Sequence, residues 1–284
     1  MSEAVARRSP LRHLLQENKL TGVAVGLFGL LVLVALLAPS LVPHDPLATN
    51  AAHSVEPPSA QFWFGTDEVG RDVFSRTMVA TQLDLGIALS AVAISFAIGS
   101  VLGAACGFFG GWLDRITARL VDTLMAFPLF LLAMAIISVL GNSTANVVYA
   151  TALVNLPFYI RMARAEAAKL RGSGYIEAAR LAGMGPAQLL TAHVYPNILP
   201  PIMVQISLNL GWAILNAAGL SFIGLGVRPP VAEWGIMVAD GASLIVSGAW
   251  WVSLFPGVAL MLTVLCFNLI GDGLRDVLDP RRVT

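Results

Sequence analysis

Apolar residues in this chain gather into long unbroken runs, separated by short polar stretches. A spanning helix takes roughly 20 mostly apolar residues, and six runs approach or exceed that length: 22–42, 83–109, 121–140, 146–162, 198–224 and 250–270. The fourth is the weakest, interrupted by Asn155 and Pro157. The pattern predicts an all-α integral membrane protein with six transmembrane helices. A basic leader (Arg7, Arg8, Arg12, Lys19) precedes the first run, as in a signal peptide. That run is long for an h-region and no small-x-small cleavage site follows it, so it reads as an uncleaved anchor.

The polar stretches set a direction. With the N-terminus inside, the cytoplasmic segments hold Arg7, Arg8, Arg12, Lys19, Arg115, Arg119, Arg161, Arg164, Lys169, Arg171, Arg180, Arg275, Arg281 and Arg282, and the outer ones only Arg71, Arg76 and Arg228. Lys and Arg accumulate on the cytoplasmic side of membrane proteins. Both ends are therefore expected inside, and losing the weak fourth span would spoil the bias. The expected organisation is a cytoplasmic tail at 1–21, a first transmembrane helix at 22–42 and an outer loop at 43–82. A core of five helices at 83–272 follows, with a cytoplasmic loop at 163–197, and then a tail at 273–284.

Composition agrees: 57% of residues are hydrophobic and 12% charged, against about 25% charged in soluble domains. Cys106 and Cys266 lie inside apolar runs and read as packing residues, not a disulfide. His13, His44, His53 and His193 show no metal-ligand spacing, so no metal site is expected. Neither Lys19 nor Lys169 belongs to a phosphate-binding loop; ATP chemistry, if used, must come from another polypeptide. Asp84, Asp122 and Asp272 fall at the ends of predicted spans, which leaves no mid-membrane carboxylate for ion-coupled transport. No Gly-x-Ser-x-Gly, Ser/His or paired-Asp constellation suggests an intramembrane hydrolase.

Five features carry more specific expectations. Ser95, Gly99, Gly103, Gly107 and Gly111 form a smooth stripe on the second span, read as helix packing. Trp250 and Trp251 are placed at the outer headgroups. Asn155, Asn209 and Asn216, with Asn268, lie within spans and either hydrogen-bond between helices or line a polar substrate path. In the outer loop, Gly65 marks a turn and Thr66 or Asp67 caps a helix. That segment is either an interfacial lead-in to span two or a dock or gate for an external partner. In the inner loop, Ser173 caps a short helix over 174–182 that Gly183 or Gly185 ends. Pro186 starts a second helix, which Pro196 closes. Ala178 with Ala182, and Ala179 with Gly183, give the first helix a low surface suited to a groove. Glu177 and Arg180 are spaced to pair on its wet side.

Glu177-Ala178-Ala179, three residues and then Gly183 resembles the Glu-Ala-Ala signature of permease subunits in binding-protein-dependent ABC importers. The family continues to an Ile-x-Leu-Pro, of which only Pro196 is present in His193-Val194-Tyr195-Pro196. The run from Phe64 through Gly65, Thr66, Asp67, Gly70, Arg71, Asp72 and Ser75 to Arg76 is similar to the peptide and nickel branch. So are Pro229-Pro230-x-x-Glu233-Trp234-Gly235 and the tail from Asn268 to Pro280. The resemblance spans 11–282 and is to the C-type subunit of dipeptide, oligopeptide or nickel importers. It implies the type I importer fold, with Glu177, Ala178, Ala179, Ala182 and Gly183 seated in a cleft of an ATPase. It implies a second, similar permease chain, two cytoplasmic ATPases that bind the ATP and Mg, and an external or lipid-anchored solute-binding protein. This chain is expected to hold no cofactor and no catalytic residue, to contact membrane lipid and no nucleic acid, and to sit in the bacterial cytoplasmic (inner) membrane. Peptide is the expected cargo. Nickel or another small solute, or a scaffold without transport, are the alternatives.

Overall fold

The computed structural model describes residues 19–278. Arg7, Arg8, Arg12, Arg281 and Arg282, and the parts of both tails that hold them, lie outside the described residues. Among the described residues ten α-helices follow one another: α1 (Lys19–Leu41), α2 (Val73–Phe109), α3 (Gly111–Ala126), α4 (Leu129–Leu140), α5 (Thr144–Leu170), α6 (Gly174–Leu181), α7 (Pro186–Leu189), α8 (Tyr195–Phe222), α9 (Trp234–Ala242) and α10 (Trp251–Leu278). Among the described residues, four segments are long and apolar enough to cross a membrane, and a fifth arises if the bent pair α3–α4 is one span. α5 has 27 residues, about 40 Å of helix, but its last turns carry Arg161, Arg164, Glu166 and Lys169. It is the run that sequence marked as weakest.

Three boundaries differ from expectation. The second span starts at Val73, ten residues before 83, because the Asp72 carboxylate accepts the Ser75 N–H at 3.0 Å and caps the helix there. Asp72 therefore takes the capping role expected of Thr66 or Asp67. Asp84, read as lying at a span end, is instead inside α2 and 5% exposed. The third span is not one helix: α3 and α4 meet at 93°. Pro128 disfavours helical geometry at the residue before it, and Phe127 is extended at φ −89°, ψ 144°.

The core is the seam between α2 and α5. A Cβ on Gly99 would stand 2.7 Å from the Tyr159 Cβ, and one on Gly103 or Gly107 would strike the Ile160 or Arg164 carbonyl. Ser95 Oγ donates to the Ala152 carbonyl at 2.8 Å across the same seam. The small-residue stripe is thus a packing surface, as read; Gly111 alone of the five faces open space. α8 packs against this pair, and α1 lies against α2 and α10. Cys266 Sγ donates to the Ala24 carbonyl at 3.1 Å, and both cysteines are free and buried.

Candidate coupling surface, outer knot and buried polar seam

α6 lies where the sequence placed it. Ser173 occupies its N-cap position, but the hydroxyl donates backward to the Leu170 carbonyl at 2.7 Å. The helix stops in a Schellman turn: Met184 N–H donates to the Ala179 carbonyl and Gly183 N–H to that of Arg180. Gly183 has φ +88°, a value that side-chain-bearing residues adopt only with strain. Ile176 is fully buried in a cluster with Phe108, Ala167, Leu189 and Val194, and Ala179 and Met184 pack on it. This anchors one face. Glu177, Ala178, Ala182 and Gly183 are exposed on the other, with Leu181 90% exposed beside them. Ala179 turns inward, away from its four companions in the motif. No Glu177–Arg180 ion pair forms among the described residues.

The second arm of the loop differs from the reading of Pro196 as a stop. α7 runs through a π turn, Leu190–Val194, directly into α8. Pro196 has no N–H to offer the Ala192 carbonyl, and a π turn absorbs that loss without ending the helix. Pro186 to Phe222 is consequently one continuous 37-residue path. Tyr175 of α6 meets the His193 ring at 6.5 Å, and His193 Nε2 contacts Met184 Sδ at 3.2 Å. α6 is therefore fastened to the base of α8.

The outer motif forms a knot. Asp67 Oδ1 accepts the Val69 and Arg71 amides at 3.1 and 2.9 Å. Its Oδ2 takes Arg71 Nε at 2.6 Å and stands 3.7 Å from Arg76 Nε. Gly70 closes the turn at φ +77°, against the backbone of Asn50. Thr66 Oγ1 accepts the Glu56 amide at 2.8 Å and donates to the His53 carbonyl. Trp251 Nε1 donates to the Thr66 carbonyl at 3.1 Å, so Trp251 is buried and only Trp250 keeps substantial exposure. Arg76, 2% exposed, donates to the Pro46 and Pro230 carbonyls. Asp240 adds a second carboxylate to this cluster. Partial burial pushes its pKa up from the ordinary value, while Arg71 and Arg76 pull it back. Gly65, Thr66, Asp67, Gly70 and Asp72 are buried and Arg71 half-buried. Around the knot, Trp63, Glu68 and Val69 are exposed to solvent.

The in-span asparagines sit between α5 and α8. Asn155 is 0%, Asn209 5% and Asn216 4% exposed. Asn155 Nδ2 donates to the Thr151 carbonyl at 3.1 Å, and Asn209 Oδ1 accepts Gln205 Nε2 at 2.9 Å. Among the described residues, Asn155 Oδ1, Asn209 Nδ2 and both amide atoms of Asn216 have no hydrogen-bond partner, nor do Thr151 Oγ1 and the Tyr159 hydroxyl. On α5 the residues 151, 155 and 159 recur every four and share a face. The result is a buried polar seam. A cavity of about 510 Å³ lies elsewhere, toward the N-terminal ends of α2 and α5, lined by Gln82, Gly86, Ser90 and Thr144 among others. The sequence reading missed this lining, although Gln82, Gly86 and Ser90 recur every four residues from the last position of the expected loop into the predicted second span.

Comparison with known proteins follows the same lines. Residues 99–284 match the family model described as binding-protein-dependent transport system inner membrane component. A probable D,D-dipeptide transport system permease protein of Escherichia coli K12 is 44% identical over 268 residues, 94% of this chain and 90% of that protein. A dipeptide transport system permease protein of Alkalihalophilus pseudofirmus is 43% identical over 267 residues, covering 94% and 88%. A nickel transport system permease protein of Escherichia coli K12 is 39% identical over 265 residues, covering 92% and 94%.

Proposed function

Because this chain belongs to the binding-protein-dependent transport system inner membrane components, we propose that it is one of two similar permease subunits carrying peptides across the bacterial inner membrane. Two separate ATPase subunits bind ATP and Mg and do the chemical work. A solute-binding protein outside delivers the cargo. The chain crosses the membrane six times with both ends in the cytoplasm, a reading supported by the Lys and Arg bias and by the length of α5. α6 is the contact with the ATPase. Its Ile176 face is locked into the bundle while Glu177, Ala178, Ala182 and Gly183 stand free, and this single observation carries the reading. Displacement of α6 passes through the Tyr175–His193–Met184 contacts into the unbroken α7–α8 path. From there it tilts the helices around the polar seam at Asn155, Asn209 and Asn216, which lines the path in the open assembly.

Relatives named for dipeptide and other peptide transport support peptide as cargo. The nickel relative is nearly as similar, but among the described residues no group of three His, Cys, Asp or Glu could hold a metal ion. The experiment is bulk placed on the free face. Ala178→Trp and Gly183→Trp are expected to abolish peptide uptake, by at least tenfold, with the subunit still present in the membrane fraction. Normal uptake by both variants would overturn the coupling assignment.

A further inference from the structure

Nothing in the coupling reading uses Glu233 of the Pro-Pro-x-x-Glu-Trp-Gly stretch, yet the fold sets it against a second buried acid. Glu233 is 0% and Asp84 5% exposed, and the two carboxyls face each other within hydrogen-bonding reach. Each has a backbone donor. Trp234 N–H donates to Asp84 Oδ2 at 3.0 Å, and Ile236 N–H to Glu233 Oε2 at 2.8 Å. The surrounding packing fixes the pair in place: Trp234 is fully buried and its Nε1 donates to the Thr77 carbonyl at 2.9 Å. Gly235 lies so close to Ala218 that a Cβ would strike its carbonyl.

The charged surroundings are sparse. Among the described residues, Asp84 on α2 is the ionisable group that acts on Glu233; from α8 it is met by the Ser221 hydroxyl, and from the start of α9 by the Gly235 and Ile236 amides. Among the described residues, the groups acting on either acid include none on α10. Arg71, Arg76, Asp67 and Asp240 interact with one another in the outer knot, and no ion pair joins a cation to Asp84 or Glu233 among the described residues. As two carboxylates, neither acid can donate to the other, and among the described residues Glu233 Oε1 is left without a hydrogen-bond partner. Two such anions side by side cannot both stay ionised, and each would be a buried charge that backbone donors stabilise but no cation neutralises. A single proton between them removes the repulsion and one of the two buried charges, and gives the orphaned oxygen a hydrogen-bond partner.

We propose that Asp84 and Glu233 form a proton-binding site that holds one shared proton at neutral pH and clamps α9 to α2. The outer cap built from α9 and the knot is thereby fastened to the bundle by an acid–carboxylate hydrogen bond. Loss of the proton leaves two repelling anions and loosens the cap. The folded state then binds a proton that the unfolded chain has released, so stability falls as pH rises through the titration of the pair.

The test uses the assembled importer in lipid nanodiscs, with thermal unfolding of this subunit followed from neutral to alkaline pH and infrared spectra recorded in parallel. The wild type is expected to lose stability toward alkaline pH and to show a protonated-carboxyl carbonyl band at neutral pH. Glu233→Gln and Asp84→Asn each leave one carboxylate facing an amide donor; both are expected to flatten the pH slope and remove the band. Should either variant fail to assemble, disappearance of the wild-type band on alkaline titration reports the same proton. A wild type without that band overturns the proposal, as does an unchanged slope in both variants. Stabilisation by added sodium or calcium, with no carboxyl band, would overturn it in favour of a bound cation.

Discussion

Asp67 illustrates how much one side chain holds. It accepts two amides, pairs with Arg71 and faces Arg76, whose guanidinium is almost wholly buried. Removing one partner of a buried ion pair leaves an uncompensated charge, at a cost of about 3–5 kcal/mol. Asp67→Ala is therefore expected to cost about 3 kcal/mol or more in stability and to lower the unfolding temperature of the purified subunit. Glu68→Ala, one residue along and exposed, should stay within about 0.5 kcal/mol of wild type. Equal effects at the two positions would contradict the knot. Sequence identified the residues of this motif but not their work. Spacing showed a turn at Gly65, while the partners Pro46, Pro230 and Trp251 come from distant parts of the chain and have no local signature. The same holds for Asp84, whose acidic neighbour is 149 positions away.

At the scale of elements, what was legible followed from local physics. The small-residue stripe predicted close packing, and α5 lies against Gly99, Gly103 and Gly107. Gly183 predicted a helix stop, and the Schellman turn is there. The errors also have local causes. Hydropathy placed the start of span two at 83, because the polar turns before it hide a helix capped at Asp72. Likewise it joined 121–140 into one span, because a run of apolar residues does not register that Pro128 forces Phe127 out of the helix. Pro128→Ala removes that restriction. Spin labels at Leu120 and Val139, both exposed, span about 20 Å across a right-angled break and about 29 Å along a straight helix. The variant is expected to move the measured distance toward the longer value; an unchanged distance would mean that packing, not Pro128, sets the bend.

Over the whole molecule, the parts form a train from the inner loop to the outer cap. α6 is anchored by Ile176 and joined to α8 by a helix that bends through a π turn without breaking. α8 borders the polar seam against α5, and α9 closes the outer end over α2. The family was readable from the motif spacing, whereas the six crossings expected from apolar runs and charge bias stand beside four or five candidate spans among the described residues. The seam was only half readable: the asparagines stood out as polar residues in apolar runs, but the gathering of Thr151, Asn155 and Tyr159 of α5 with Asn209 and Asn216 of α8 into one buried set depends on the packing of the two helices. Everything in the transport reading depends on the free face of α6 being cytoplasmic and covered by an ATPase. A single cysteine at Ala182, probed with a membrane-impermeant thiol reagent, tests this directly, since Cys106 and Cys266 are both buried. The account predicts no labelling from outside intact cells, labelling in inverted vesicles stripped of the ATPase subunits, and protection when those subunits are restored. Labelling of intact cells from outside would contradict it.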